Sequence, residues 1–256
     1  MTGIIDKVGS LKAQDPIYLG EDRHEAPKEL FKTMASIIDA AGHRPGSSLI
    51  DVGCATGEAI TYLIRRFPDF GSFCGVDISP AMISRATERV SGASFVTADI
   101  ALPSAFSDMG QFDVVWCSGV LSCFDDPTVP LSNLFGLAKP GGSVIVAAMI
   151  NEHPVDAVIR YRRTDSEDGI WETGWNLFSR GTIERLLSQL PYRLSLVWTK
   201  FDMPFSIPKT ADPMRTWTIA TENNPFQTVN GISQLVNPWI VHARVDALAG
   251  GRQSAI

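Results

Sequence analysis

The apolar run Leu49-Ile50-Asp51-Val52 ends in the turn Gly53-Cys54-Ala55-Thr56-Gly57, and Glu58 then opens a helical pattern. Glycine at a strand-to-helix turn lets the backbone bend sharply and lets a ligand approach with no Cβ in the way. Two acids close the next two apolar runs: Asp77 in Gly75-Val76-Asp77-Ile78-Ser79 and Asp99 in Val96-Thr97-Ala98-Asp99-Ile100. Asp77 comes 24 residues after Gly53, where an α/β fold places a carboxylate to accept both hydroxyls of a ribose. Asp99 is positioned for the amino group of an adenine. The chemistry on offer is capture of an adenosine-bearing ligand. The spacing Gly-x-Ala-x-Gly is not the G-x-G-x-x-G of the dinucleotide fingerprint, which disfavours an NAD-dependent oxidoreductase.

The elements that must position these residues alternate regularly. A helix is expected from Ala26 to Ala41, with apolar residues at Leu30, Met34, Ile37, Ile38 and Ala41, stopped by Gly42 and Pro45. Strands follow at Ser48–Val52, Phe73–Asp77, Ala93–Ala98, Phe112–Cys117 and Ser143–Ile150. Helices lie between them at Glu58–Phe67, Pro80–Val90 and about Pro127–Ala138, with Pro80 at a first turn that loses no hydrogen bond. Such βαβ units build a parallel sheet covered on both faces. A helix capped by Ser179 runs to Leu190, and strand-like runs follow at Arg193–Lys200, Met214–Thr221 and Pro238–Val245. Residues 1–25 are read as an arm. Residues 26–256 form one domain, with irregular insertions at about 151–178 and 201–236, the second carrying a hairpin around Glu222-Asn223-Asn224. Long irregular stretches beside a regular sheet tend to be lids or binding loops.

These residues resemble the class I S-adenosylmethionine-dependent methyltransferases. The first motif of that family is matched by Asp51-Val52-Gly53-Cys54-Ala55-Thr56-Gly57, the second by Asp77 and the third by Asp99. The likeness continues through Phe112-Asp113-Val114-Val115-Trp116-Cys117 and Leu137-Ala138-Lys139-Pro140-Gly141-Gly142, covering roughly Ala26 to Ile150. One departure is Ala55, where the family usually has glycine. The resemblance implies a Rossmann-like, doubly wound, mostly parallel seven-stranded sheet with an antiparallel C-terminal strand. It also implies S-adenosylmethionine as cofactor and S-adenosylhomocysteine as product. Asp51, Gly53, Cys54, Ala55 and Gly57 would then line the methionine and ribose side, and Asp77 would hold the ribose. Ile78 would pack on adenine, Asp99 and Ile100 would flank its edge, and Cys117 and Ser118 would lie near the methyl group.

A sulfonium methyl is already activated, so the protein mainly aligns a nucleophile with the methyl–sulfur bond. A base is needed only when the acceptor is a hydroxyl or a protonated amine. His153, just past the fifth strand, is the first candidate and His24 the second; each can equally be a surface histidine. Asp125 and Asp126 fit a helix cap as well as a base. Arg160 and Arg163 can grip an anionic group on the acceptor or form a solvated face. Trp171 and Trp175 can meet a ring or pack the lid. The run Met203-Pro204-Phe205-Ser206-Ile207-Pro208, with Arg215-Thr216-Trp217-Thr218 and Asn237-Pro238-Trp239, is similar to methyltransferase-like proteins of bacterial glycan or natural-product biosynthesis. The expected acceptor is a small molecule methylated on a hydroxyl, a sugar or natural-product intermediate being one form of it. A catalytically silent cofactor-binding regulatory relative is the alternative from outside enzymes.

Composition narrows the partners. The 256 residues are 45% hydrophobic and 20% charged, ordinary for a globular chain, and the formal net charge of −6 opposes a broad nucleic-acid or anionic-membrane footprint. The longest apolar run, Val144 to Ile150, is far shorter than the roughly 18–20 residues of a membrane span. MTGIIDKVGSLKAQDP lacks the unbroken apolar core of a secretory signal, so a cytoplasmic location is expected. Cys54, Cys74, Cys117 and Cys123 contain no C-x-x-C pair, so neither a metal site nor a disulfide framework is expected. The oligomeric state is open, a homodimer being one option.

Overall fold

The computed structural model describes residues 19–20, 23–103, 105–165, 171–212 and 214–248. Most of the arm expected over 1–25 therefore lies outside the described residues, as do 166–170 of the first insertion.

The elements follow the predicted alternation. They are α1 (Glu29–Ala41), β1 (Ser48–Val52), α2 (Glu58–Arg66), β2 (Ser72–Asp77), α3 (Pro80–Arg89), β3 (Ser94–Thr97), β4 (Phe112–Ser118), α4 (Thr128–Gly136) and β5 (Ala138–Asn151). Then come the short β6 (Arg160–Tyr161), β7 (Glu172–Thr173) and β8 (Phe178–Ser179), followed by α5 (Arg180–Ser188) and β9 (Tyr192–Lys200). The chain ends through β10 (Trp217–Ile219), β11 (Gln227–Val229), β12 (Leu235–Val236) and β13 (Pro238–Leu248).

The main sheet has the order β3-β2-β1-β4-β5-β13-β9, and β8 adds a short pairing to β5. Strands β1 to β5 are mutually parallel, whereas β13 runs antiparallel to both β5 and β9. The sheet is thus mixed, with the antiparallel C-terminal strand inserted between two strands of the parallel direction. Chain order reverses between β1 and β4, and the carboxyl ends beside such a switch point form a crevice.

Period-2 alternation divides the core between the two faces. Leu49, Val114, Trp116 and Ile145 pack with Phe31, Met34 and Ile38 of α1 and Ile60 and Leu63 of α2. Ile50, Val115, Cys117 and Val146 pack on the other face with Leu131 and Leu134 of α4 and Ile183 and Leu187 of α5. The Ser179 cap acts as the sequence suggests, its Oγ accepting from the Thr182 N–H, and the structure adds Ser79, whose Oγ accepts from the Met82 N–H at the start of α3.

Several boundaries differ for local reasons. Helix α1 begins at Glu29 rather than Ala26, because Pro27 restricts the residue before it and Lys28 caps in an extended conformation. Strand β5 begins at Ala138 because the pairing with β4 continues through the glycine turn, with a register shift between Phe112 and Val114. A Cβ at Gly142 would meet the Lys139 and Asp113 carbonyl oxygens at 2.9 and 3.0 Å, which excludes a side chain there. At this amino edge the Asp113 carboxylate accepts from Lys139 Nζ at 2.7 Å and from the Ser48 N–H at 2.8 Å, tying β1, β4 and β5 together.

The insertions are less irregular than expected. Strands β6 and β7 pair antiparallel, with Tyr161 opposite Glu172. Strands β10, β11 and β12 form a small antiparallel sheet, and the Thr221 N–H donates to the Asn224 carbonyl at 2.9 Å in the predicted hairpin. Met214–Thr221 shortens to the three residues of β10. Among the described residues no helix is long and apolar enough to cross a membrane.

Candidate active site

The carboxyl ends of β1 to β4 surround a cavity lined by the glycine turn, by the residues that follow β2 and β3, and by the loop leaving β4. The turn needs its glycines. Gly53 and Gly57 both have φ +82°, a conformation that side chains strain to adopt, and a Cβ on Gly53 would fall 2.1 Å from Val120 Cγ2. The Gly53 and Cys54 N–H groups donate to the Val76 carbonyl at 2.7 and 2.9 Å, so β2 fixes the turn. Ala55 also lies in the left-handed region, at φ 46°. Its backbone keeps the geometry glycine would have there, at a steric cost of about 1–2 kcal/mol.

Asp77 is held by the turn it faces. Its Oδ2 accepts from the Ala55 N–H at 2.9 Å and its Oδ1 from the Ser79 N–H at 3.0 Å. Asp99 Oδ1 accepts from the Ala101 N–H at 2.8 Å in a similar turn. Around the two acids the wall is apolar, with exposed Ile78 and with Met82, Ile100 and Phe124. Acids for hydroxyl and amino donors beside an apolar slot suit a nucleoside.

Behind the turn, Asp51 is buried, and its carboxyl is pushed up to about 8 by burial first and then by the Asp77 charge, with Lys28 opposing. Burial likewise raises the Cys54 and Cys117 thiols well above their usual range, so neither is a ready nucleophile. The four cysteines are free, and among the described residues no group of three or more His, Cys, Asp or Glu could hold a metal ion.

The structure brings together Gly53, Ala55, Asp77, Ile78, Asp99, Ile100 and Ser118 on this cavity. It separates others from it. Asp51, Cys54 and Gly57 lie behind the turn, where Gly57 gives way to Val90, Phe95 and Ala86. Cys117 points into the core face shared with α4 and α5, and only the next residue, Ser118, reaches the cavity.

A second, larger cavity of about 1120 Å³ adjoins the first. Its walls come from residues 23–32, from β6 and β7, and from the 201–236 insertion. Trp175 lines both cavities. Arg163 lines the larger one, bound to Asp165 and Asp212 at 2.8 and 2.9 Å. Arg160 lines neither and is spent on Asp125 and the Ile159 carbonyl. Trp171 also lines neither; the Arg162 guanidinium sits 5.3 Å from its ring centroid.

Neither histidine candidate is among the residues lining the two cavities. His153 is exposed in a turn bracketed by the Asn151 side chain, which accepts from the His153 N–H at 3.1 Å and donates to the Val155 carbonyl at 2.8 Å. His24 Nδ1 lies 2.8 Å from Thr61 Oγ1 on α2. Asp126 accepts from the Thr128 N–H at 2.9 Å in the turn before α4, whose N-cap is Pro127.

Sequence reasoning missed two groups. Tyr161 Oη donates to Glu172 Oε2 at 2.6 Å on the wall of the larger cavity, and burial with this bond raises the phenol. Their opposition across β6 and β7 follows from a pairing that no local pattern announces. The other is Asn176, 0% exposed, which donates to the Phe124 carbonyl at 2.7 Å and accepts from the Ile159 N–H at 2.8 Å. A buried asparagine in an aperiodic stretch carries no sequence signal.

Residues 50–144 match the family model described as a methyltransferase domain. Trans-aconitate 2-methyltransferase of Methylobacterium radiotolerans is 31% identical over 122 residues, 48% of this chain and 45% of that protein. The 2-methyl-6-phytyl-1,4-hydroquinone methyltransferase of Synechocystis sp. is 36% identical over 107 residues, 40% of this chain and 32% of that protein. The chain thus spans less than half the length of these curated relatives. Among solved structures, the N-methyltransferase NodS of Bradyrhizobium japonicum in complex with S-adenosyl-L-homocysteine has the same fold. The TM-score is 0.53 at 16% identity, over 92% of this chain and 98% of that one. Residues 50–144 are therefore similar to a methyltransferase domain, and the Rossmann-like sheet that carries them has the fold of a methyltransferase.

Proposed function

We propose that the whole chain transfers a methyl group from S-adenosylmethionine to a hydroxyl of a small-molecule acceptor. In this reading the smaller cavity takes the cofactor and the larger one the acceptor, within a single domain, 26–256, whose insertions at 151–178 and 201–236 wall the acceptor site. The observation that carries it is Trp175, which borders both cavities and so marks where two bound molecules would meet. Asp77 takes the ribose hydroxyls, Ile78 and Ile100 clasp the adenine, and Asp99 meets its amino edge. Gly53 and Ala55 face the methionine portion, and Ser118 flanks the reacting end. When bound, the cofactor supplies an electrophilic methyl on sulfur. The chain's own work is to exclude water and align the hydroxyl oxygen with that methyl. His153 and His24 take no part in this arrangement, since neither lines a cavity. Selection of the acceptor falls to the insertions, because the sheet residues from 49 to 117 build only the cofactor side.

Ligand linkage tests the cofactor reading. S-adenosylhomocysteine at 100 times its Kd should stabilise the protein by about 2.7 kcal/mol, seen as a raised Tm, while NAD leaves the Tm unchanged. Stabilisation by NAD with none by either sulfur nucleotide overturns it.

A further inference from the structure

The larger cavity says what kind of acceptor it would take. Its volume, about 1120 Å³, exceeds the roughly 300–1,000 Å³ typical of pockets for drug-sized ligands. A hexose or a small organic acid would leave most of it to water. About half of the residues lining it are apolar, with Trp175, Phe201, Met203, Phe205 and Ile232 among them, and the charged ones lie mostly in opposed pairs.

Four of the five cations on the wall, Arg163, Arg215, Lys32 and Lys28, have anionic partners. Arg163 is shared between Asp165 and Asp212, and Arg215 Nε lies 3.8 Å from Asp212. Lys32 pairs with Glu29 at 2.6 Å and Lys28 with Glu58 at 3.9 Å. A polyanionic acceptor would have to break these pairs and bring its own charge against Asp212, Glu29 and Glu172. A neutral molecule leaves them intact. The polar feature suited to a neutral head is the Tyr161–Glu172 pair. Among the described residues no second group donates to the Glu172 carboxylate, so it can accept from an incoming hydroxyl.

Resting on the methyltransferase reading above, we infer that the acceptor is an uncharged alcohol or phenol with an extended apolar body. The hydroxyl lies on the Trp175 and Glu172 side, and the body runs along Phe201, Phe205 and Ile232. A sugar or a polycarboxylate does not fit this lining.

Two titrations on the full chain separate this claim from the one it rests on. S-adenosylhomocysteine alone comes first; failure to bind removes the methyltransferase reading itself. Four probes are then titrated calorimetrically onto the S-adenosylhomocysteine-saturated protein: 4-octylphenol, phenol, glucose and trans-aconitate. Each buried methylene is worth roughly fourfold in affinity, so burying half of the octyl chain should make octylphenol about 200-fold tighter than phenol. Phe205 is 49% exposed at the wall, so Phe205→Glu should fold. It should weaken octylphenol at least about tenfold and leave S-adenosylhomocysteine affinity unchanged. Equal affinities for octylphenol and phenol overturn the inference. So does glucose or trans-aconitate binding as tightly as octylphenol, no octylphenol binding up to its solubility limit, or unaltered octylphenol binding by Phe205→Glu.

Discussion

Replacing Asp77 by alanine removes a group with two jobs, and their sizes can be separated. Toward the cofactor, two ribose hydroxyls would donate to a carboxylate that is half-buried and already oriented by the Ala55 and Ser79 N–H groups. Hydrogen bonds to a charged acceptor contribute roughly 1.5–3 kcal/mol each when intact, and less where solvent can replace them. A combined loss of about 2–3 kcal/mol follows, which weakens S-adenosylhomocysteine about 30- to 160-fold. Toward the fold, Asp77→Ala also frees the Ala55 N–H, which ties the glycine turn to the end of β2, and the Ser79 N–H of the turn after β2, so the variant should be less stable. Asp77→Asn separates the effects. Its amide can accept at one oxygen but must turn a donor toward the second N–H, so it should fall between wild type and alanine in both affinity and stability. Calorimetry with S-adenosylhomocysteine reads the first quantity and urea unfolding the second. A folded Asp77→Ala protein that binds S-adenosylhomocysteine within about twofold of wild type refutes the ribose role.

Two further outcomes follow from the same turn. Asp51 carries a carboxyl raised to about 8 in the fold, above its unfolded value, so the native state holds a proton that the unfolded chain releases. Its contribution to stability is complete below about pH 4 and is lost as the pH rises to about 8; Asp51→Asn should flatten this limb, and parallel urea-midpoint profiles from pH 5 to 9 for the two proteins would exclude the effect. Gly53→Ala combines left-handed strain of about 1–2 kcal/mol with an overlap against Val120 that costs about 1–3 kcal/mol. Adding Val120→Ala should restore only the second share, and a Gly53→Ala protein as stable as wild type in denaturant would contradict both.

How much of this was legible in the sequence depended on how local each determinant is. The glycine turn, the acids at the ends of β2 and β3 and the Ser179 cap are set by residues within a few positions of one another, and the structure has them near where the pattern put them. The strand core was readable for a related reason, since apolar runs of five or six residues flanked by helical patterns suit few other arrangements. Cys117 shows where this stops. Being at the end of β4 suggested the cavity, yet the alternation of the strand turns its side chain to the core and Ser118 to the ligand side. His153 shows a different limit: it follows β5 in sequence, yet it is exposed, lines neither cavity and sits in a turn bonded by the Asn151 side chain.

The acceptor side was beyond a sequence reading because it is assembled by long-range polar bonds. The Asn176 side chain holds the first insertion to the loop leaving β4 through the Phe124 carbonyl, and its own N–H donates to the Ser122 carbonyl at 2.8 Å. One residue earlier, the Trp175 carbonyl accepts from Gln234 Nε2 at 2.9 Å, which fastens the second insertion to the first. Trp175 is thus anchored on one side to the loop that contributes Val120, Cys123 and Phe124 to the smaller cavity, and on the other to the wall of the larger one. Buried polar groups that are fully bonded resist displacement, because breaking one partner exposes the other to an unpaid desolvation cost. The indole between the cavities is therefore held by its neighbours' hydrogen bonds rather than by packing alone. The same bonds set the separation between the glycine turn, which the sequence announces, and the acceptor wall, which it does not.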